Sequence, residues 1–224
     1  PILGDCYDQN LLVNKFKNIK IDYIYHAAAY KHVGLGETNP YSIIKNNIFN
    51  TKSVIEFSIL KKVKNFIFVS SDKAVNPTSL LGFTKNFGEV MASYYYKSIK
   101  NKTGIKFTVV RFGNVIGSSG SVIPIFLNQL KNKLPLTVTH KNAERYFMSI
   151  SEAVQLIVHS SSLSNGYNIF ALDMDPCQVP IELPPPIVSS SRAELSILLI
   201  FVPLWVLSIK EPLLYSLTVP ALKV

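Results

Sequence analysis

Residues 66–85 read FIFVSSDKAVNPTSLLGFTK, and this stretch decides the fold. Phe66–Val69 is a continuous apolar run rich in β formers, the pattern of a strand covered on both faces. Ser70-Ser71-Asp72-Lys73 follows directly, and a helix is expected from about Leu81 to Lys100. Strand, polar turn, long helix is the unit of a parallel sheet.

The same alternation extends to both sides. Upstream, Ile21–Ala27 reads as a strand. Asn39-Pro40 then supplies an N-cap and a proline at the first helical position. Ile44, Ile48, Thr51, Ile55 and Ile59 recur at helical spacing, so one helix is expected to about Lys62. Downstream, Phe107–Phe112 is a buried strand, Ser121–Lys131 a helix and Asn168–Leu172 a last short strand. Ser149-x-x-Glu152 has the form of a capping box before a helix over Ala153–Ser161. The expected fold class is α/β, a doubly wound, Rossmann-like parallel sheet.

Composition divides the chain. Its formal net charge is +9, from 23 basic and 14 acidic residues. Residues 1–175 hold 20 of those basic and 11 of those acidic residues, whereas 176–224 hold three of each. All 10 glycines precede residue 176, and 8 of the 13 prolines lie within 176–224. Two regions are therefore expected: a body over 1–175 and a Pro/Leu-rich, poorly ordered tail over 176–224. The run Ser196–Leu207 is short for a membrane span and is broken by Pro203, so a buried helix or a non-native tail is favoured. No dense basic block is present, which argues against nucleic-acid binding. Cys6 and Cys177 are too far apart for a CxxC motif, and the four histidines lack metal-ligand spacing, so no metal is expected. A reducing, cytoplasmic setting fits this cysteine usage.

The groups able to carry chemistry sit at strand ends, where open α/β sheets bind ligands. Asp72 and Lys73 are either an acid–base pair or an ordinary surface ion pair. Lys85 opens a helix four residues after Leu81. Residues 111–121, RFGNVIGSSGS, form a Gly/Ser/Asn loop that is either a turn or a cradle of N–H groups for a diphosphate. Arg145, between Glu144 and two aromatics, is either a rim residue or a phosphate fork.

Five runs occur in an order that resembles one family: HAAAYKHV (26–33), NPYSIIKNN (39–47), VSSDKAVNPTSLLGFTK (69–85), RFGNVIGSSGSVIP (111–124) and ERYFMSISEAVQLI (144–157). These are similar to the polysaccharide-biosynthesis nucleotide-sugar 4,6-dehydratases, extended short-chain dehydrogenase/reductases acting on UDP-N-acetylglucosamine. The resemblance covers about residues 3–175. It implies that the chain is a fragment lacking the first βαβ unit, with its Gly-rich cofactor turn. It implies a nicotinamide cofactor, NADP or NAD, and an internal redox elimination. Hydride leaves C4 of the sugar, water is lost across C5 and C6, and the hydride returns at C6.

By the same resemblance, Asp72 would be the acid for the departing 6-hydroxyl and Lys73 the base at C5. Ser71 would hydrogen-bond the 4-oxygen, and Lys85 would hold the nicotinamide ribose. Asp5, Ala27, Ala28, Ala29, Lys31 and Asn46 would line the cofactor. Asn114, Ser118, Ser119 and Ser121 would hold the UDP-sugar, with Arg145 on its diphosphate. Leu81 replaces the family's usual Tyr, so the base for the first oxidation is unassigned, with Lys73 and Asp72 as candidates. The larger, membrane-attached branch carries Met there. Glu144 stands where Thr is usual. A homo-oligomer is expected of the full-length protein, with membrane attachment only through a preceding segment and a place at the inner face of the membrane in that case. The alternatives are a nucleotide-sugar epimerase on the same fold and an inactive truncated product.

Overall fold

The structure is a computed structural model that describes residues 1–118, 121–137, 147–172 and 214–217. After a short helix α1 (Gln9–Lys15), β1 (Tyr23–His26) enters the sheet. Helices α2 (Val33–Thr38) and α3 (Pro40–Ile44) lead through a π-helical segment, Lys45–Phe49, into α4 (Asn50–Leu60). Strand β2 (Asn65–Val69), a 3-10 turn at Asp72–Ala74 and the long helix α5 (Leu80–Ile99) come next. They are followed by β3 (Lys106–Arg111), β4 (Asn114–Val115), α6 (Val122–Lys131), β5 (Phe147–Met148), α7 (Ile150–Leu163), β6 (Tyr167–Leu172) and β7 (Leu214–Leu217).

The main sheet runs β1-β2-β3-β6-β7. Its first four strands are parallel, with Tyr25 opposite Ile67, Ile67 opposite Thr108 and Thr108 opposite Asn168. The last strand is antiparallel, Leu172 opposite Leu214. Strands β4 and β5 form a separate parallel pair. The expected parallel α/β sheet is therefore present.

Both faces of the sheet are covered, which explains the uninterrupted apolar run at 66–69. Phe66 and Phe68 point to one face with Phe107 and Val109, packing with Val54 and Ile55 of α4 and Ala92 of α5. Ile67 and Val110 point to the other face and meet Leu156 of α7. Phe66, Ile67 and Phe107 are fully buried. Burying each such side chain contributes roughly 1.5–3 kcal/mol, so these central strands are the most strongly held part of the fold.

Several local expectations need correction. The single helix expected from Pro40 to Lys62 is interrupted by the π segment, closed by the Asn50 N–H to the Lys45 carbonyl. Asn39 does not cap α3 with its side chain. Its Nδ2 donates instead to the Leu35 carbonyl and Thr38 Oγ1, both 3.0 Å away. Asn39 is also the C-cap residue of α2, where its own N–H reaches the Leu35 and Gly36 carbonyls, so its side chain is held at the end of that helix. The capping box at Ser149 and Glu152 forms in full, so α7 starts at Ile150 rather than Ala153. Short helices α1 and α2 carry no periodic pattern long enough to read in advance.

Of the tail at 176–224, only β7 lies within the described residues. The remainder, including Ser196–Leu207, lies outside them. Among the described residues, no helix is long and apolar enough to cross a membrane.

Candidate active site

The carboxyl ends of β1, β2 and β3 bring the candidate residues together. Beyond β2 the chain turns sharply because its side chains bond its own backbone. Ser71 Oγ accepts from the Lys73 N–H at 3.2 Å and donates to Asp72 Oδ1 at 2.7 Å. The same Oδ1 accepts the Lys73 N–H at 2.8 Å and Lys73 Nζ at 2.9 Å. The Ser71 hydroxyl, the Lys73 N–H and the Lys73 ammonium thus converge on one carboxylate oxygen. Lys73 Nζ also donates to Asn114 Oδ1 at 3.3 Å, joining the β2 turn to the loop after β3. Backbone bonds reinforce the joint: Ser70 N–H to Val110 O at 2.8 Å and Asp72 N–H to Phe112 O at 3.1 Å. The side chains of Asp72 and Lys73 are each 32% exposed, open enough to meet a ligand.

Helix α5 is capped by Ser79, whose side chain accepts from the Gly82 N–H. Leu81 is buried and carries no titratable atom. Lys85, one turn on, is buried at 7% exposure beneath the end of β2. Its Nζ donates to the Val69 carbonyl at 2.8 Å and lies 5.0 Å from the centre of the Phe68 ring. Burial pushes the Lys85 ammonium down to about 8, opposed by the negative charge of Glu89.

His26, at the end of β1, stacks on Phe66 and Phe68 with ring centres 6.1 and 5.9 Å away. Burial, and then the Lys85 charge, push its imidazole down to about 4, so it is neutral near pH 7. Thr51 Oγ1 donates to the Asn47 carbonyl and therefore accepts from His26 Nε2–H at 2.9 Å.

Asn46 is half-buried in the π segment, but its neighbour Asn47 is the organising residue. Asn47 Oδ1 accepts the Tyr30 N–H at 2.8 Å, while Nδ2 donates to the Tyr30 carbonyl and to Thr84 Oγ1, each at 3.0 Å. One buried amide thus ties the loop after β1 to α5. Ala27, Ala28 and Lys31 of that loop are exposed and Ala29 is half-buried. Asp5 is exposed and accepts the Tyr7 N–H, and Tyr7 packs edge-on against Phe49 at 6.4 Å. Ser118 precedes α6, and Ser121 is its N-cap residue. Ser121 Oγ is buried without a hydrogen-bond partner among the described residues. Ser119, Glu144 and Arg145 lie outside the described residues.

Sequence reasoning missed Asn47 and the ion pair of Glu89 with Arg111. In each case the partners are distant in sequence; only the i,i+4 spacing of Lys85 and Glu89 gave a local hint.

The residues present fit the nicotinamide-ribose half of a dinucleotide. Small side chains at 27–29 leave room beyond β1, and Lys85 stands beneath the adjoining strand end. A GxxGxxG turn for the pyrophosphate does not occur in the 224 residues.

Most of the chain is similar to known proteins. A family model described as "Polysaccharide biosynthesis protein" matches residues 1–194. The probable polysaccharide biosynthesis protein EpsC of Bacillus subtilis is 44% identical over 172 residues, 77% of this chain and 28% of that protein. A UDP-glucose 4-epimerase of Rickettsia bellii is 35% identical over 169 residues, 75% of this chain and 48% of that protein. The inverting UDP-N-acetylglucosamine 4,6-dehydratase of Campylobacter jejuni is 35% identical over 174 residues, 75% of this chain and 50% of that protein. The chain thus spans half or less of the length of these relatives. The X-ray structure of Pen from Bacillus thuringiensis superposes with a TM-score of 0.75 at 37% identity, covering 80% of this chain and 56% of Pen.

Proposed function

Since the chain belongs to the polysaccharide biosynthesis protein family, we propose that it is the major part of a nicotinamide-dependent UDP-N-acetylglucosamine 4,6-dehydratase. The observation that supports dehydration is the Asp72–Lys73 pair at the end of β2, tied to Asn114. Loss of water needs an acid at the 6-hydroxyl and a base at C5. An epimerase acting at C4 needs no such pair.

The side chains then have distinct tasks. The proton released from the 4-hydroxyl in the first oxidation is the one Asp72 donates to the departing 6-hydroxyl, and Lys73 removes the C5 proton and gives it back to C5 when the hydride returns at C6. Ser71 hydrogen-bonds the 4-oxygen. Leu81 takes no proton, so the first deprotonation falls to Asp72 or Lys73. Lys85 holds the ribose with its charge. Asn114, Ser118 and Ser121 hold the UDP-sugar, with Ser119 and Arg145 completing that set. When bound, NADP or NAD supplies a hydride acceptor that returns the same hydride. Asp5, Ala27–Ala29, Lys31 and Asn46 line the dinucleotide.

Incubating the full-length polypeptide with cofactor and UDP-N-acetylglucosamine labelled with deuterium at C4 tests this. The expected product is a UDP-4-keto-6-deoxy sugar with deuterium at C6. A 4-epimer with no keto sugar assigns the epimerase instead.

Self-association is part of the proposal. Phe83, Phe87, Val90 and Tyr94 lie along one face of α5, each between 39% and 68% exposed. An apolar stripe of this kind suits an identical helix of a second copy. Sedimentation of the protein with Val90→Lys and Tyr94→Lys is expected to show monomers.

A further inference from the structure

Glu89 is a buried carboxylate, 3% exposed, that neither the acid–base pair nor the ligand contacts use. Its carboxylate joins two other segments to its own helix. Oε1 accepts from Ser70 Oγ at 2.5 Å and from Arg111 Nε at 2.9 Å, and Oε2 accepts from Arg111 Nη2 at 2.5 Å. Ser70 is the residue immediately before the Ser71–Asp72–Lys73 turn. Arg111 ends β3, three residues before Asn114. Glu89 itself stands one helical turn beyond Lys85 on α5. Every element that carries a proposed catalytic group is therefore joined at this carboxylate.

We infer that Glu89 is a positioning residue, which sets the Asp72–Lys73 turn against the Asn114 loop through Ser70 and Arg111. This inference rests on the reading of those segments as the active site. A two-pronged Arg–carboxylate contact fixes direction as well as distance. Ser70 adds a third attachment, so a shift of either strand end must break a charge-assisted bond in a dry environment. Glu89 also favours the charged form of Lys85, opposing the desolvation of that ammonium. A carboxylate here thus serves both the geometry of one half of the site and the charge of the other.

The test compares Glu89→Gln, Glu89→Asp and Ser70→Ala in the full-length polypeptide, with amide hydrogen exchange and kinetics as separate readouts. Ser70→Ala is the mild variant, because it removes one hydroxyl and leaves the ion pair with Arg111 in place. It is expected to raise exchange in residues 70–74 by about tenfold with little change in Phe66–Phe68. Glu89→Gln is expected to raise exchange in both 70–74 and 112–115 and to lower kcat about a hundredfold at nearly constant KM. Its alkaline activity limb should move to lower pH, since Lys85 then loses its proton more easily. Glu89→Asp should recover part of kcat.

Uniformly raised exchange in all three variants would overturn the inference by assigning Glu89 a general stability role. Unchanged exchange at 70–74 in Ser70→Ala would overturn it even if the Glu89 variants fail to fold. If the unaltered enzyme makes no keto sugar while the exchange pattern holds, the functional reading fails and the positioning role stands.

Discussion

Gly82 stands so close to Lys73 that a Cβ added to it would lie 2.3 Å from the Lys73 carbonyl oxygen. The obstacle is the Lys73 backbone on one side, its carbonyl carbon 3.2 Å away, and the Pro77 ring on the other, with Cβ also 3.2 Å away. The absence of a side chain at the start of α5 is what lets the helix rest on the acid–base turn. Gly82→Ala must push one of them away, with a destabilisation of roughly 1–3 kcal/mol. Activity should fall with it. Gly34→Ala in α2 is the control, since nothing lies within 4 Å of its added Cβ. That change should be neutral or stabilising by roughly 0.5–1 kcal/mol. Thermal unfolding of both variants checks the contrast.

Asn47→Ala removes four side-chain hydrogen bonds and leaves the Tyr30 N–H and carbonyl without their partner. Each bond lost at these part-buried groups costs about 0.5–1.5 kcal/mol. The loop carrying Ala27–Lys31 should loosen. The expected result is a lower denaturation midpoint together with weaker cofactor binding in a fluorescence titration.

His26 makes the protein acid-sensitive. Its folded value of about 4 lies below the ordinary 6.5, so the unfolded chain takes up the proton first as pH falls. The stabilisation is fully present above pH 6.5 and is lost progressively down to pH 4. The loss is on the order of 3 kcal/mol. His26→Gln should flatten this part of a plot of unfolding free energy against pH.

Lys85 acts at the other end of the scale. Its folded value of about 8 lies below the ordinary 10.5, so the folded chain releases the proton first as pH rises. The contribution of this group to stability therefore increases with pH between 8 and 10.5. Over the same interval the ammonium proposed to hold the ribose disappears, so cofactor affinity should fall. Lys85→Met should abolish the stability slope and give weak, pH-independent cofactor binding. Denaturation and titration from pH 7 to pH 10.5 separate the two effects.

The sequence by itself determined the order of the four parallel strands and the longer helices, the apolar run of Phe66–Val69 between two covered faces and the capping box at Ser149. It also placed Asp72 and Lys73 at a strand end. These properties depend on residues within about four positions of one another, through side-chain periodicity and end-capping bonds. Tertiary structure decided the rest. Asn47 became a hub through partners 17 and 37 residues away, where the family resemblance had pointed to Asn46. Lys73 met Asn114 across 41 residues, and Glu89 met Arg111 across 22. Asn39 satisfied the end of α2 instead of capping α3, because two helices compete there for one amide. Burial, which loosens the Lys85 proton and keeps His26 neutral, depends on how completely distant segments exclude water, and no local pattern encodes it.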